Sequence, residues 1–239
     1  MSPALLRLRS GASAHDLHLS DEAIERFDRY LAALLRWRTR LNLTAAESAD
    51  EIVGVHFADS LLALLAWPFP HGARVVDVGS GAGFPGIPLK IARPDLAMTL
   101  VEASRRRVAF LEHARDVLEM PDIDVVWGRA EHLARHALLR ERFTAAVERA
   151  AAPLAAAAEL CVPFVTPGGA AVLLKGLHAV GELRRAEPLI AALGARVMAA
   201  SSLSMVEGRA TVVVVLEKST TTPDGFPRAP ARLGRVPIR

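Results

Sequence analysis

The ten residues Asp77-Val78-Gly79-Ser80-Gly81-Ala82-Gly83-Phe84-Pro85-Gly86 constrain the fold more than any other stretch of the chain. They follow an apolar run, Arg74 to Val78, that reads as a buried strand, and they lead into Ile87 to Ala92, which reads as a helix. A strand, a glycine turn and a helix start make a cradle for a nucleotide-type ligand. Glycines permit positive φ and close approach of backbone to ligand, and a helix N-terminus offers unpaired N–H groups.

Gly81, Gly83 and Gly86 also satisfy the dinucleotide pattern G-x-G-x-x-G. Two details argue against a diphosphate. Asp77 places a carboxylate beside the turn, and Pro85 and Pro88 remove N–H donors from the helix start. A cationic ligand without phosphate, such as the sulfonium S-adenosyl-L-methionine, suits the loop better.

The pattern after the loop alternates between strand and helix. Strands are expected at Leu96 to Val101, Ile123 to Trp127, Phe143 to Val147, Ala170 to Leu174, Arg196 to Ser201 and Ala210 to Glu217. Helices are expected at Arg105 to Leu118, from Gly128-Arg129-Ala130-Glu131-His132 onward, and at Ala179 to Leu193. With Arg74 to Val78 this makes an α/β protein with a seven-stranded, Rossmann-like sheet. Ligands of such sheets bind at the carboxyl ends of strands, where Asp77, Glu102, Glu131, Arg149 and Lys175 all fall. Glu102, 19 residues beyond Gly83, occupies the place of a carboxylate that accepts from both ribose hydroxyls. That spacing fits NAD and S-adenosylmethionine equally. Glu131 is expected to face the adenine amino group. The triplet Arg105-Arg106-Arg107 opens a helix against its macrodipole, which suggests an outside anion.

Residues 1–70 read as an N-terminal helical extension, 71–218 as the core and 219–239 as a basic irregular tail. Within the extension, Met1 to Leu19 reads as irregular. Ser20 caps a helix with Ile24, Phe27, Leu31, Leu34, Leu35 and Leu41 on one face and Arg26, Arg29, Arg36, Arg38 and Arg40 on the other. That basic stripe is either an RNA contact or a solvated surface. Leu41-Asn42-Leu43-Thr44 reads as a turn, and Ala49 to Leu65 as a helix that carries His56, Asp59 and Ser60 on one face. The tail, with Arg228, Arg232, Arg235 and Arg239, reads as a flexible arm for phosphates or as a solubilising end.

Cys161 is the single cysteine, which rules out an internal disulfide and leaves no cysteine cluster for a metal. No metal site is expected. The longest apolar runs fall short of a membrane span, and no secretory leader is apparent, so a cytoplasmic protein is expected. The net charge of +3 is compatible with nucleic acid but does not require it.

For a methyl donor such as S-adenosylmethionine, the acceptor decides what else is needed. Exocyclic amines are gripped by an Asn/Asp-Pro-Pro-aromatic loop, and no such run exists here. Carbon-5 of a pyrimidine needs a cysteine nucleophile, and Cys161 lies in an apolar helical setting. Guanine N7 needs neither device, because its lone pair is free in the ring plane.

The chain resembles the RsmG (GidB) family, guanine-N7 methyltransferases of bacterial 16S ribosomal RNA, from about Tyr30 to Lys218. The landmarks are Leu41 to Thr44, His56 to Ser60, Asp77 to Pro88, Arg93-Pro94, Glu102, Arg107 to Leu111, Gly128 to Glu131, Arg149-Ala150 and Leu174 to Gly176. The resemblance implies a class I S-adenosylmethionine-dependent methyltransferase fold. It implies cofactor contacts from Gly79, Phe84, Ala130, Glu131 and Arg149, beside Asp77, Gly81, Gly83 and Glu102 from the motif. It places Arg129 and Lys175 on the RNA side or in the catalytic pocket with Arg149, and His56 as a further pocket residue. The implied partner is 16S ribosomal RNA or the small ribosomal subunit, and a monomer is expected. Glu148 departs from the small residue common in relatives. Two alternatives stay open here: a methyltransferase of a small molecule or protein, and a non-catalytic RNA-binding assembly factor.

Overall fold

The computed structural model describes residues 2–38, 41, 43, 46, 48–149, 152–206 and 209–235. Arg40, Asn42, Thr44, Ala150 and Arg239, singled out above, lie outside them.

Helix α1, Pro3–Ser13, replaces the irregular N-terminus expected from sequence. Its reason is local: the Ser2 hydroxyl accepts from Leu5 N, Pro3 occupies the first turn, and Ala4, Leu5, Leu8 and Ala12 form a buried stripe. Helix α2, Asp21–Trp37, is capped by Ser20 as expected, and it buries Ile24, Phe27, Tyr30, Leu31 and Leu34. The next helix is not continuous α. A short α3, Ala49–Glu51, runs into a π-helical turn, Ile52–Phe57, and then α4, Ala58–Ala66. One residue more per turn rotates the face that carries Val55 and His56, an effect that apolar periodicity does not reveal.

The core is one seven-stranded sheet of β1 (Arg74–Val78), β2 (Ala97–Glu102), β3 (Asp124–Trp127), β4 (Phe143–Arg149), β5 (Val165–Lys175), β6 (Ala195–Leu203) and β7 (Thr211–Lys218). The order is β3-β2-β1-β4-β5-β7-β6. Pairings from β3 through β5 are parallel, and β7 inserts antiparallel between β5 and β6. Between β1 and β4 the chain direction across the sheet reverses, which opens a crevice above their carboxyl ends. The glycine loop leaves β1 at that point, and Arg149 ends β4 there.

Helices α5 (Gly86–Ala92) and α6 (Arg105–Val117) join α1, α2 and α4 on one face of the sheet. Helices α8 (Leu154–Cys161) and α9 (Ala179–Ala192) cover the other face, and the four-residue α7 (Ala130–Leu133) follows β3. Alternate residues of each strand feed the two layers: Val75 and Val147 face the first, Val76 and Ala146 the second. The N-terminal helices therefore share a core with the sheet. Strand β5 begins before the expected turn at Pro167 to Gly169, because a bulge against β4 absorbs those residues.

The tail is strapped down rather than free as far as Arg235. Arg140 donates to the carbonyls of Thr222, Pro223 and Phe226, and Arg135 to those of Asp224, Gly225 and Pro227. Fully buried Glu159 accepts from Arg228 N, Nε and Nη2 and from Gly234 N. The α2 stripe is also partly tied: Arg26 pairs with Glu22, and Arg29 reaches Val117 O and Glu119.

Candidate active site

The glycine loop is shaped by its own hydrogen bonds. Gly79, Gly81 and Gly83 hold φ of 74°, 60° and 95°, the left-handed region that favours glycine. Gly79 N and Ser80 N donate to Val101 O, Gly83 N and Phe84 N to Ser80 O, and Gly81 N to Glu102 Oε2. The expectation of unpaired N–H groups at the helix start is corrected here. Gly86 N donates to Asp77 Oδ2 at 2.9 Å, and Ile87 N to Gly83 O. A carboxylate thus occupies the anion position that a dinucleotide phosphate would need. Gly86 has a packing role as well, since a Cβ there would lie 2.5 Å from Leu100 Cδ2 and 2.7 Å from Asp77 Oδ2.

Asp77 is wholly buried, and its Oδ1 has no hydrogen-bond partner among the described residues. Burial pushes its carboxyl up to about 7, against the opposing bonds from Gly86 and Ser80. The loop is also pinned from the extension. Tyr30, the only tyrosine, donates its hydroxyl to Ala82 O and stacks on Phe57 at 5.2 Å. Sequence reasoning missed this residue, although a lone phenol on the apolar face of α2 was a usable signal.

Beside the loop lies a cleft of about 620 Å³, including its open mouth, lined by Gly79, Glu102, Ala103, Arg107, Gly128, Arg129, Ala130 and Glu131, with Val101 at its floor. Gly79, Glu102, Ala130 and Glu131, expected at the cofactor, come together there with Arg129, which was expected on the RNA side or in the catalytic pocket; Ala103 and Arg107 were not anticipated in the lining. Glu102 is oriented from both sides, with Oε1 accepting from Ser104 N at 2.8 Å and Oε2 from Gly81 N at 2.9 Å. Each oxygen retains a lone pair for a ligand hydroxyl. Buried Glu131 accepts from Arg129 Nε at 2.7 Å.

A second group adjoins Phe84. The His56 ring stacks on Phe84 at 4.8 Å, and the Arg149 guanidinium lies 5.1 Å from the same ring. Arg149 donates to Val55 O at 3.0 Å and contacts His56 Nδ1 at 2.5 Å, so the π-helical turn holds the cation in place. Burial, with Arg149 and Arg209 nearby, pushes the imidazole of His56 down to about 3. His56 is neutral at physiological pH and accepts from Arg149. Asp59 turns to Arg209 at 3.1 Å, and Ser60 donates to His56 O.

Lys175, expected at a strand end on the RNA side or in the catalytic pocket, does end β5, with its side chain turned inward. It is 7% exposed, and its amine pairs with Glu148 and donates to Ala152 O at 2.8 Å. The unusual Glu148 is thereby accounted for as its buried counterion. Cys161 is fully buried, and burial pushes its thiol well above the ordinary range, so it is no nucleophile.

The cleft's two carboxylates, its small-residue walls and its pre-empted anion position fit a nucleoside bearing a cationic chain. The family model for rRNA small subunit methyltransferase G (GidB) matches residues 23–211. The chain belongs to this family. It is 39% identical over 231 residues to the ribosomal RNA small subunit methyltransferase G of Roseiflexus sp. (strain RS-1), covering 97% of this chain and 98% of the relative. It is 35% identical to that of Brevibacillus brevis (strain 47), covering 95% of each. Among solved structures, TrmN from Thermus thermophilus aligns with a TM-score of 0.52 at 20% identity, over 66% of this chain and 48% of that one. Aeropyrum pernix fibrillarin with natively bound S-adenosyl-L-methionine aligns with a TM-score of 0.52 at 16% identity, over 67% and 76%. The fold is the Rossmann-like class I methyltransferase fold, and the protein is an S-adenosylmethionine-dependent ribosomal RNA methyltransferase. No described helix is long and apolar enough to cross a membrane.

Proposed function

We propose that the protein transfers the methyl group of S-adenosyl-L-methionine to N7 of a guanine in 16S ribosomal RNA of the small subunit, as a cytoplasmic monomer. The observation that carries the acceptor atom is the state of the site's titratable groups. Buried Cys161 cannot form the adduct that carbon-5 methylation requires, and His56 is engaged by Arg149. The acceptor best suited to such a site is a nitrogen with a free lone pair and no proton to remove.

In this reading Glu102 binds the ribose hydroxyls, and Glu131 with Ala130 faces the adenine. Gly79, Gly81, Gly83 and Phe84 shape the wall toward the methionine end, over Asp77. When bound there, the cofactor would supply an electrophilic methyl on its sulfonium, with the neutral thioether as the leaving group. Arg149 orients the guanine through its O6 or a phosphate, held at distance from N7 by Val55 O and His56. Arg129, tethered to Glu131, carries a second donor to the cleft mouth. Lys175 acts through Glu148 and Ala152 as a positioning residue for the chain after β4. Positioning alone supplies about 7–11 kcal/mol of such a barrier.

The test is transfer of labelled methyl to small ribosomal subunits lacking their native N7-methylguanine, with the product mapped by cleavage at that base. Label at a single guanine is expected. Label on another atom would refute the assignment to N7, and no label despite bound cofactor would refute the reading as a whole.

A further inference from the structure

Of the arginine triplet only Arg107 lines the cleft described above; Arg105 and Arg106 have no role in it. Arg105, Arg106 and Arg107 open α6, all three are exposed, and the first turn contains no acidic residue. None of the ion pairs among the described residues includes them. Cations at the positive end of a helix are destabilising, so their charge has no use inside the fold. Beside them, at the exposed edge strand of the sheet, Trp127 keeps 52% of its surface in solvent. It is not loose: its indole N–H donates to Ala103 O at 3.0 Å, and the Arg105 guanidinium lies 4.1 Å from its ring centroid.

A fixed, exposed indole with a stacked guanidinium is the arrangement on which an unpaired base stacks, and flanking cations take its phosphates. This patch is continuous with the cofactor cleft, because Ala103, Arg107 and Arg129 line that cleft while their neighbours Arg105 and Trp127 form the patch. The basic surfaces anticipated from sequence are less available: Arg26 is tied to Glu22, and Arg228 to Glu159. We propose that Trp127 and Arg105, with Arg106, form a platform that receives an unpaired nucleotide of ribosomal RNA flanking the modified base. The proposal rests on the ribosomal RNA reading above and adds where the RNA lies. A duplex does not suit the platform, since its bases are stacked on one another.

The test compares wild type with Trp127→Ala, Trp127→Phe and Arg105→Ala/Arg106→Ala. It measures methyl transfer to unmodified small subunits, anisotropy of a fluorescein-labelled single-stranded RNA oligonucleotide of mixed sequence, and calorimetric binding of S-adenosylmethionine. Trp127→Ala is expected to raise the acceptor KM and the oligonucleotide Kd about tenfold, at unchanged kcat and cofactor affinity. Trp127→Phe should recover much of this. The double arginine variant should lower the slope of log Kd against log salt by about one to two. Equal acceptor KM in wild type and Trp127→Ala, with transfer intact, would overturn the platform while leaving the ribosomal RNA reading standing. Loss of cofactor binding in Trp127→Ala would overturn it too, by making the residue part of the cleft. Failure of wild type itself to methylate subunits would remove the reading and the platform together.

Discussion

Replacing Lys175 with Met tests how the site is supported. The Lys175 and Glu148 side chains are 6% and 1% exposed, so the substitution leaves Glu148 without its cation in the interior. Removing one partner of a buried pair costs about 3–5 kcal/mol. For a chain of this length, 1 kcal/mol corresponds to about 2–4 °C in Tm, so the variant should melt about 6–20 °C lower. The double variant Lys175→Met/Glu148→Met removes both charges and fills the same space, and such replacements are often neutral or stabilising. The Ala152 carbonyl still loses its donor, at about 1 kcal/mol, so the double variant should recover most but not all of the loss. Thermal denaturation by circular dichroism, with urea titration of all four members of the cycle, measures the coupling. Lys175→Met melting within 2 °C of wild type, a shift at the lower limit of the scale above, would refute the argument. So would a double variant less stable than the single. If the refolded double variant also methylates normally, the positioning role of Lys175 falls with it.

Other expectations follow from the glycine loop and the tail. Gly86→Ala should bring Cβ within 2.7 Å of Asp77 Oδ2, costing about 1–3 kcal/mol and weakening cofactor binding in calorimetry. Asp77 titrates near 7 when folded and near 3.8 when unfolded, so the native state binds more protons between those values. Its contribution to stability therefore falls as pH rises from about 4 to 7, and Asp77→Asn should flatten that part of the urea-derived stability profile of the cofactor-free protein. His56, held near 3 when folded and 6.5 when unfolded, has the opposite sign: stability is lost as pH falls below about 6.5. Nitrogen NMR should accordingly find its ring neutral at pH 6. Glu159→Ala should free the segment around Arg228, read as rapid proteolysis after Ser219 with the core intact.

Strand positions were legible because each parallel strand is a short apolar run bounded by turn residues, and Asp77, Glu102 and Arg149 mark their carboxyl ends. The tether of Glu102 to Gly81 and Ser104 was not, because local spacing says nothing of which N–H groups a carboxylate meets across two loops. The N-terminal helix was missed for a simpler reason. Its polar face carries Arg7, Arg9 and Ser10, which obscured the stripe of Leu5, Leu8 and Ala12. The docked tail was hidden because its partners, Arg135, Arg140 and Glu159, are some 70–90 residues distant in the chain. A proline-rich basic segment with no apolar periodicity gives no sign that distant arginines will bind its carbonyls.

The same limit explains why Arg149 is the informative residue of the site. It joins three parts of the chain that sequence separates: the end of β4, Val55 and His56 of the π-helical turn, and Phe84 of the glycine loop. Regular α-helix from Ala49 to Ala66 would rotate Val55 and His56 away from the positions that the π turn gives them. Helix α2 and the π-helical turn therefore do more than cover the sheet. Through Tyr30 they hold the loop that shapes the cofactor cleft, and through His56 they hold the cation beside it. His56→Ala should consequently lower kcat while sparing thermal stability, because it frees Arg149 without leaving a charge unpaired in the core. A fall in Tm with unchanged kcat would show instead that the ring is only a packing element against Phe84.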